Sequence, residues 1–203
     1  MLVGTLKEQK IFNIGFHKTG TTSLTQFMRE HGFKVLHSVS YSMQSLGLGS
    51  QNDVDEGDGT LVDLSALIDE SLLNNLVQQF DYFSDNPWPL LYRRLDRVFP
   101  GSLFILTRRK VDNWMDSLLR HTSDRNTRMR RMIYGYGNPH QHILSYRKVY
   151  LSHNRMVEEY FSDRKNLMSI DLEEDNFVIA QRLQKFVRVE SKSTVFPSLN
   201  KGE

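Results

Sequence analysis

The sequence predicts a single α/β domain whose central parallel sheet is covered by helices on both faces. Short apolar segments alternate along the chain with longer segments of helical periodicity, which is the pattern of strand–helix–strand units. The 203 residues fit one domain with its own core. Hydrophobic residues make up 39% and charged residues 25% of the chain, which is typical of a globular protein.

Three apolar segments are the clearest strand predictions. Ile11–Phe16, Leu103–Thr107 and Leu167–Asp171 are short and mostly apolar, as expected of strands that are buried in a parallel sheet. Lys34–His37 is predicted as a second strand along the chain, and Tyr82–Ser84 as a short strand end.

Six segments have the apolar spacing or the boundary residues of helices. In chain order they are Thr22–His31, Leu61–Gln79, Pro89–Phe99, Asp112–Arg120, Ile143–Phe161 and Asn176–Val187. The second of them depends on Leu64, Leu67, Ile68, Leu72 and Leu76. Gly32 ends the first one, because glycine readily takes the left-handed conformation found after many helices.

Two long segments lack a clear period. Ser38–Thr60 is rich in Ser, Gly and Asp, with a short helix near Tyr41–Leu46, and its length predicts a functional loop that shapes a substrate pocket. His121–His140 is basic and rich in turn residues, and we expect it to be a basic loop. Both segments are assigned to one domain, residues 1–203.

Composition excludes several kinds of site. The chain has no cysteine and therefore no disulfide, thiolate metal site or cysteine nucleophile. The net charge of +2 gives no indication of nucleic-acid binding. The basic stretch Arg108–Arg131 favours an anionic small molecule, although a solvated charged surface would have the same composition.

The N-terminal region and the hydropathy pattern predict where the protein resides. No apolar run approaches the ~18 residues that a membrane span requires. Lys7, Glu8 and Lys10 interrupt the hydrophobic stretch that a signal peptide would need. We therefore expect a cytoplasmic protein without a membrane span.

The segment Gly15–Ser23 joins the first strand to the first helix and reads GFHKTGTTS. Backbone N–H groups at a helix N-terminus lack partners and carry partial positive charge, so a phosphate fits there. Lys18 adds a full charge, and Gly20 allows a close approach to the backbone. The candidate phosphate ligands are His17, Lys18, Thr19, Gly20, Thr21, Thr22 and Ser23. A simple Ser/Thr helix cap would account for only one of these hydroxyl groups.

This loop differs from the phosphate loop of ATP- and GTP-hydrolysing proteins. Gly15 and Gly20 have the separation of the two glycines in that motif. However, Thr21 stands where the motif requires lysine, and the nearby Lys18 precedes the second glycine. The sequence therefore predicts a phosphate site of a different kind.

A second candidate anion site follows the strand Leu103–Thr107. Arg109 comes directly after this strand, and Ser117 lies eight residues later, about one and a half turns into the next helix. The hydroxyl group can then face the strand end and share an anion with the guanidinium group, whose two-pronged donor geometry suits phosphate. Taken alone, a surface arginine and an unrelated helix serine would give the same pattern.

Together the two segments resemble the sulfotransferase family that uses 3′-phosphoadenosine 5′-phosphosulfate (PAPS). In that family a K-x-G-T-[TS] loop holds the 5′-phosphosulfate, and an Arg…Ser pair after an apolar strand holds the 3′-phosphate. The resemblance implies these roles for Lys18–Ser23 and for Arg109 with Ser117. It extends over nearly the whole chain through Phe83–Pro87, Tyr134–Gly135, His153–Asn154, Asp171 and Phe196–Asn200.

The resemblance also implies the fold and has two departures. The fold would be a three-layer α/β/α sandwich with a central parallel sheet, related to the P-loop NTPases. His17 stands where many members have proline. The chain also lacks the Arg-Lys-Gly motif that some members place near the C-terminus, for which Arg125, Arg128 or Arg130 would be replacements.

By this resemblance, an acceptor hydroxyl or amine of a small molecule or glycan attacks sulfur in line, and 3′,5′-ADP leaves without any need for a metal. Lys18 would stabilise the charge on the leaving phosphate. Asp85 is the first candidate for the base, because it lies two residues before Pro87, where related enzymes have a His-x-Pro segment. A helix cap is the other role open to Asp85, and His37 is the alternative base.

Two other functions remain compatible with the sequence. One is a P-loop-like nucleotide kinase, against which the position of Lys18 and the Arg109–Ser117 pair argue. The other is a catalytically inactive module of the same fold that only binds a nucleotide.

Overall fold

The structure, a computed structural model, describes residues 9–190 and 195–199. Within these residues, five strands form one parallel sheet in the order β2-β3-β1-β4-β5. The strands are β1 Ile11–Asn13, β2 Val35–Leu36, β3 Tyr82–Phe83, β4 Leu103–Arg108 and β5 Leu167–Asp171. The predicted α/β class with a central parallel sheet is therefore confirmed.

Helices connect the strands and cover the sheet. The α-helices are α1 Thr21–Glu30, α2 Val39–Ser45, α3 Leu64–Leu67, α4 Glu70–Gln78, α5 Tyr92–Val98, α6 Val111–His121, α7 Arg128–Tyr134, α8 Ile143–Tyr160 and α9 Asn176–Val187. A 3-10 turn, Trp88–Leu91, precedes α5. Among the residues described, no helix combines the length and apolarity required to cross a membrane.

Alternate residues of the strands build a separate core on each face of the sheet. Ile11, Tyr82 and Ile105 face α1 and α9, where they pack with a cluster that includes Leu24, Phe27, Ile179 and Leu183. Phe12 and Phe104 face the opposite way, into a larger cluster to which α2 to α8 contribute. Because both faces of the sheet are covered, the three-layer prediction is confirmed as well.

The predicted helix Leu61–Gln79 is interrupted, and that prediction was wrong. Ile68 has an extended backbone, with φ −96° and ψ 124°, and separates α3 from α4. The Asp69 carboxylate then accepts hydrogen bonds from the first N–H groups of α4, which starts a new helix. Two residues of the predicted apolar face, Leu67 and Leu72, are consequently exposed.

The basic segment His121–His140 is not simply a loop, because it contains α7. This helix buries Met129, Met132 and Ile133 against the larger core and ends at Gly135, which has the left-handed φ of 80°. The high density of arginine in the segment concealed this apolar face.

The strand order places the ends of β1 and β4 side by side. A side chain at Gly15 would meet Thr107 on the neighbouring strand, because a Cβ atom built there lies 2.2 Å from the threonine Oγ1. Glycine is therefore required for this close approach. The two loops singled out in the sequence leave the sheet at this edge, which is where parallel α/β sheets bind ligands.

Candidate active site

A cleft of about 460 Å³ opens at the carboxyl ends of β1, β3 and β4. The loop after β1, the start of α1, Asp85 and one face of α6 line it, together with the turn before α9. The cleft thus brings Lys18 together with both Arg109 and Ser117, although these residues are about 90 positions apart in the chain. Sequence reasoning predicted both groups, and the parallel order of β1 and β4 places them in one cavity.

Beneath the cleft, a buried polar network joins the ends of three strands. Asn13 donates through its amide to the Ser84 hydroxyl at 3.1 Å, and its Oδ1 accepts from the Gly15 N–H and the Thr107 hydroxyl at 3.1 and 3.2 Å. The Thr19 hydroxyl lies 2.7 Å from that of Thr107 and donates to a backbone carbonyl. All four side chains are buried, so each needs these partners.

This network changes the role of Thr19. The sequence places Thr19 among the phosphate ligands, but its hydroxyl points below the loop and is fully buried there. Among the described residues, Thr19 does not belong to the lining of the cleft, whereas Thr21, Thr22 and Ser23 do. The Thr19 hydroxyl therefore supports the loop from below.

The N-terminus of α1 is open towards the cleft. Its capping residue is Gly20, which has φ 82° and no side chain to satisfy the first N–H groups of the helix. Lys18 also has a left-handed backbone, with φ 66°, which is costly for a residue with a Cβ atom. Such strain persists where the surrounding structure determines the conformation. The strained residue here is Lys18, which also carries the positive charge of the loop.

The cleft contains three cationic side chains, Lys18, Arg109 and Arg120, and two carboxylates, Asp85 and Glu173. Desolvation is the main cause that lowers the pKa of Lys18, and the neighbouring charges of Arg109 and Arg120 lower it further, while Asp85 raises it. Because burial and the two arginines disfavour the positive charge of Lys18, this charge gains stability when an anion enters the cleft. The electrostatics therefore fit a ligand with more than one negative group.

Two hydrogen bonds to the Tyr150 hydroxyl fix the backbone of Arg109. Its N–H donates to the Tyr150 hydroxyl oxygen at 2.9 Å, and the same hydroxyl donates to the Arg109 carbonyl at 2.7 Å. The Tyr150 ring stacks on Trp114 with the centroids 4.1 Å apart, and the Trp114 indole N–H donates to the His17 carbonyl at 2.9 Å. Two buried aromatic side chains therefore connect the second anion site to the first.

The face of α6 adds residues that the sequence analysis missed. Asn113, Arg120 and His121 recur at helical spacing with the predicted Ser117, and all four line the cleft. Their spacing of three, four and seven residues was the available signal, because residues so spaced share one helix face. Glu173 lies beside them and accepts a hydrogen bond from the Asn113 amide at 3.1 Å.

The structure separates the two candidate bases. Asp85 lies in the cleft beside Lys18, with a left-handed φ of 71°, and its Oδ1 accepts a hydrogen bond from the next backbone N–H, that of Asn86, at 2.8 Å. His37 lies at the end of β2 and, among the described residues, is not part of the cleft lining. Its Nδ1 is buried without a hydrogen-bond partner in that part of the chain.

Among the described residues, the three arginines proposed as replacements for the missing C-terminal motif do not line the cleft. Arg130 donates to Thr127 and to the carbonyls of Ser123 and Arg125, and so stabilises its own segment. In the described part of the chain, neither Arg125 nor Arg128 lines the cleft. Arg120, by contrast, is a cation that does line the cleft.

The segment Ser38–Thr60 packs against the basic segment. Its acidic residues Asp55 and Asp58 form ion pairs with Arg131 at 3.6 and 3.4 Å. Backbone hydrogen bonds also join Gly59 to Gly135 and Glu56 to Gly137 within the same contact. Of the residues described, none between 38 and 60 lines the cleft.

A segment near the C-terminus completes the cleft wall. Phe196 is buried against α1, and its N–H donates to the Asn176 carbonyl at 3.0 Å. The Leu199 N–H donates to the Ser23 hydroxyl, also at 3.0 Å. Asn200, the last residue of the resemblance in this region, lies outside the described residues.

Over residues 9–190 and 195–199, no group of three or more His, Asp or Glu side chains is arranged to hold a metal ion. The acidic residues of the cleft, Asp85 and Glu173, are instead hydrogen-bonded to neighbouring backbone or amide groups.

The fold and the cleft define an α/β protein with a parallel sheet and two adjoining candidate anion sites at the carboxyl ends of its strands. A family model for the sulfotransferase domain matches residues 10–146, which is more than half of the chain, and the protein belongs to this family. No curated protein sequence matches the chain.

A solved structure supports the same fold. The crystal structure of a sulfotransferase from Alicyclobacillus acidocaldarius aligns with 96% of this chain and 86% of its own, with a TM-score of 0.59. The two sequences are 16% identical, so the likeness concerns the fold.

The network beneath the loop predicts different effects of two similar substitutions. Thr19→Val leaves Thr107 and a carbonyl group without their partner, so we expect it to lower the free energy of unfolding by about 1–3 kcal/mol. Thr22→Val alters an exposed side chain of the same loop and should change the stability by less than about 0.5 kcal/mol. Urea denaturation measures both values. Equal effects of the two substitutions would show that Thr19 does not support the loop.

Proposed function

We propose that the protein is a PAPS-dependent sulfotransferase that transfers a sulfuryl group to a hydroxyl or amine group of a small molecule or glycan. The observation that carries the proposal is the single cleft in which the open N-terminus of α1 adjoins Arg109 and Ser117. A nucleotide with phosphate groups at both its 5′ and 3′ positions has the charges that this arrangement requires.

The residues present fit such a group. Gly20 has no side chain to fill the space at the helix start, and the hydroxyls of Thr21 and Thr22 flank it. Arg120 adds a cation one turn beyond Ser117 on the same face of α6. PAPS supplies an activated sulfuryl group, so the protein has to contribute orientation, charge stabilisation and a base.

Lys18 lies where negative charge would grow on the leaving phosphate. The ammonium group is partly desolvated and close to the N-terminus of α1, so it acts in a medium where charge interactions are stronger than in water. Its backbone conformation fixes the start of the side chain. We assign Lys18 to the stabilisation of the leaving group.

Asp85 is the proposed base. It is the carboxylate on the phosphosulfate side of the cleft, and the Asn86 N–H orients one of its oxygens. His37 is disfavoured because it lies outside the cleft lining. The acceptor would approach from the ends of β2 and β3, where the proposed substrate loop 38–60 begins.

The alternative nucleotide kinase has less support. A kinase loop places its lysine after the second glycine, whereas Lys18 precedes Gly20. Arg109 before α6 and Arg120 on its face also favour a second phosphate on the ribose over a triphosphate chain.

Calorimetry with three nucleotides tests the proposed site. We expect 3′,5′-ADP to bind without magnesium and at least about tenfold more tightly than 5′-AMP, because each charge-assisted hydrogen bond to the 3′-phosphate contributes about 1.5–3 kcal/mol. Arg120→Gln should weaken 3′,5′-ADP and leave 5′-AMP unchanged. Arg97→Gln, on an exposed arginine of α5, is the matched control. Equal binding of 5′-AMP, or preference for ATP with magnesium, would contradict the assignment.

Substitution of Asp85 tests the mechanism. Asparagine also tolerates the left-handed backbone, so Asp85→Asn should keep the fold and the affinity for 3′,5′-ADP. Transfer from radiolabelled PAPS to a panel of sugars, phenols and amines should fall by about 10²-fold or more. His37→Gln is the control and should retain activity. If Asp85→Asn is as active as the wild type, another group is the base. If the wild type binds 3′,5′-ADP but transfers label to no acceptor of the panel, the protein is a binding module.

A further inference from the structure

His17 occupies an unusual environment between the anion loop and the turn after β3. Its Nδ1 lies 2.9 Å from the Asn86 amide nitrogen, and its Nε2 lies 3.4 Å from the Tyr134 hydroxyl. The ring meets the edge of Tyr134 at 88°, and the Trp114 indole holds the His17 carbonyl. The imidazole is therefore fixed both through its backbone and through its ring, and it still lines the cleft beside Lys18.

The contact with Asn86 determines which nitrogen of the ring carries the proton. In the orientation that the Asn86 amide has in the structure, its nitrogen faces Nδ1 of His17 and donates to the lone pair there, while Oδ1 is buried without a partner among the described residues. A neutral imidazole then carries its proton on Nε2. The distance of 3.4 Å to Tyr134 is long for a hydrogen bond, so this N–H is weakly engaged and available to an oxygen in the cleft.

The surroundings keep the ring neutral. The pKa of His17 is lowered to about 4: burial is the largest cause, Asp85 opposes it, and Lys18 and Arg130 contribute to the lowering. Protonation would also set an Nδ1–H against the N–H group of Asn86. Tyr134, the remaining group in contact with the ring, is buried and has a raised pKa, so it is uncharged as well.

We infer that His17 donates a hydrogen bond from Nε2 to a non-bridging oxygen of the transferred sulfuryl group, and that Asn86 is the positioning residue that fixes the required tautomer. This inference rests on the proposed function. It assigns to His17 the role of a neutral donor beside the cation Lys18, and it excludes His17 as the base because the Nε2 lone pair is absent in this tautomer. No proton leaves the imidazole during transfer.

One short turn thus carries two functions. Asn86 presents its side chain to His17, and its backbone N–H binds the carboxylate of Asp85. A displacement of this turn would alter both the donor and the proposed base. The identity of residue 86 therefore matters beyond packing, because an apolar or acidic residue of similar size could fill the space but would not impose the Nε2–H tautomer.

Nitrogen NMR of the imidazole tests the inference without substitution of any site residue. Protein with ¹⁵N-labelled histidine should show His17 as the Nε2–H tautomer from about pH 5.5 to 8, with no titration in that range. The resonance is assigned in uniformly ¹³C,¹⁵N-labelled wild-type protein by correlating the ring with the sequentially assigned backbone of His17. An Nδ1–H tautomer, as a reversed Asn86 amide would impose, or an imidazolium at pH 7 overturns the inference.

The kinetics of three variants test the role of His17 in the transfer reaction. His17→Leu removes the donor and should lower kcat by about 10²-fold with unchanged affinity for 3′,5′-ADP. His17→Gln retains an N–H donor and should recover most of that loss. Asn86→Asp reverses the tautomer and raises the His17 pKa, so kcat should fall as the pH rises through the new pKa, a limb that the wild type lacks. Equal rates for His17→Leu and His17→Gln, or an unchanged pH profile in Asn86→Asp, contradict the assignment.

The outcomes separate this inference from the proposed function. If 3′,5′-ADP fails to bind to the wild type, the proposed function is wrong whatever the tautomer is. If the nucleotide binds and the spectrum shows the Nδ1–H form, the role of His17 is wrong and the proposed function stands. Because the spectrum is recorded on the wild type, the test does not depend on whether a variant folds.

Discussion

The site depends on the close approach of β1 and β4 at Gly15. The absence of a side chain there lets Thr107 reach the Asn13 amide and the Thr19 hydroxyl, so that the ends of three strands share one buried hydrogen-bond network. Each member would be costly to leave without a partner, and the network therefore specifies a single arrangement. The network also holds the loop above it in one conformation, which includes the left-handed backbone of Lys18.

A second set of contacts links the two anion sites laterally. Trp114 and Tyr150 stack in the core, and their polar atoms bind the backbones of His17 and Arg109. In each of the two side chains, the ring packs in the core and the polar N–H or O–H group forms a hydrogen bond to the backbone. In consequence, the distance between the two sites is set by packed aromatic rings and not by flexible loops, which suits a ligand with two charged groups at a fixed separation.

Local sequence patterns were sufficient to locate the strands and the two loops that line the cleft, because a buried strand and a strand–glycine–helix loop each leave a short, contiguous signal. The break at Ile68 was missed because apolar spacing continues through it, and only the cap from Asp69 reveals it. The burial of the Thr19 hydroxyl depends on Thr107, a residue far away in the chain, and no local pattern records such a pairing. Arg120 was recoverable in principle, since it shares a helix face with a residue already assigned.

The most direct measurement is a crystal structure of the complex with 3′,5′-ADP. The account predicts the 5′-phosphate at the N-terminus of α1, within hydrogen-bonding distance of Lys18, and the 3′-phosphate between Arg109 and Ser117. It further predicts that the loop above Thr19 does not move on binding, because the network already fixes it. A nucleotide bound outside this cleft, or one whose 3′-phosphate faces solvent, would contradict the account.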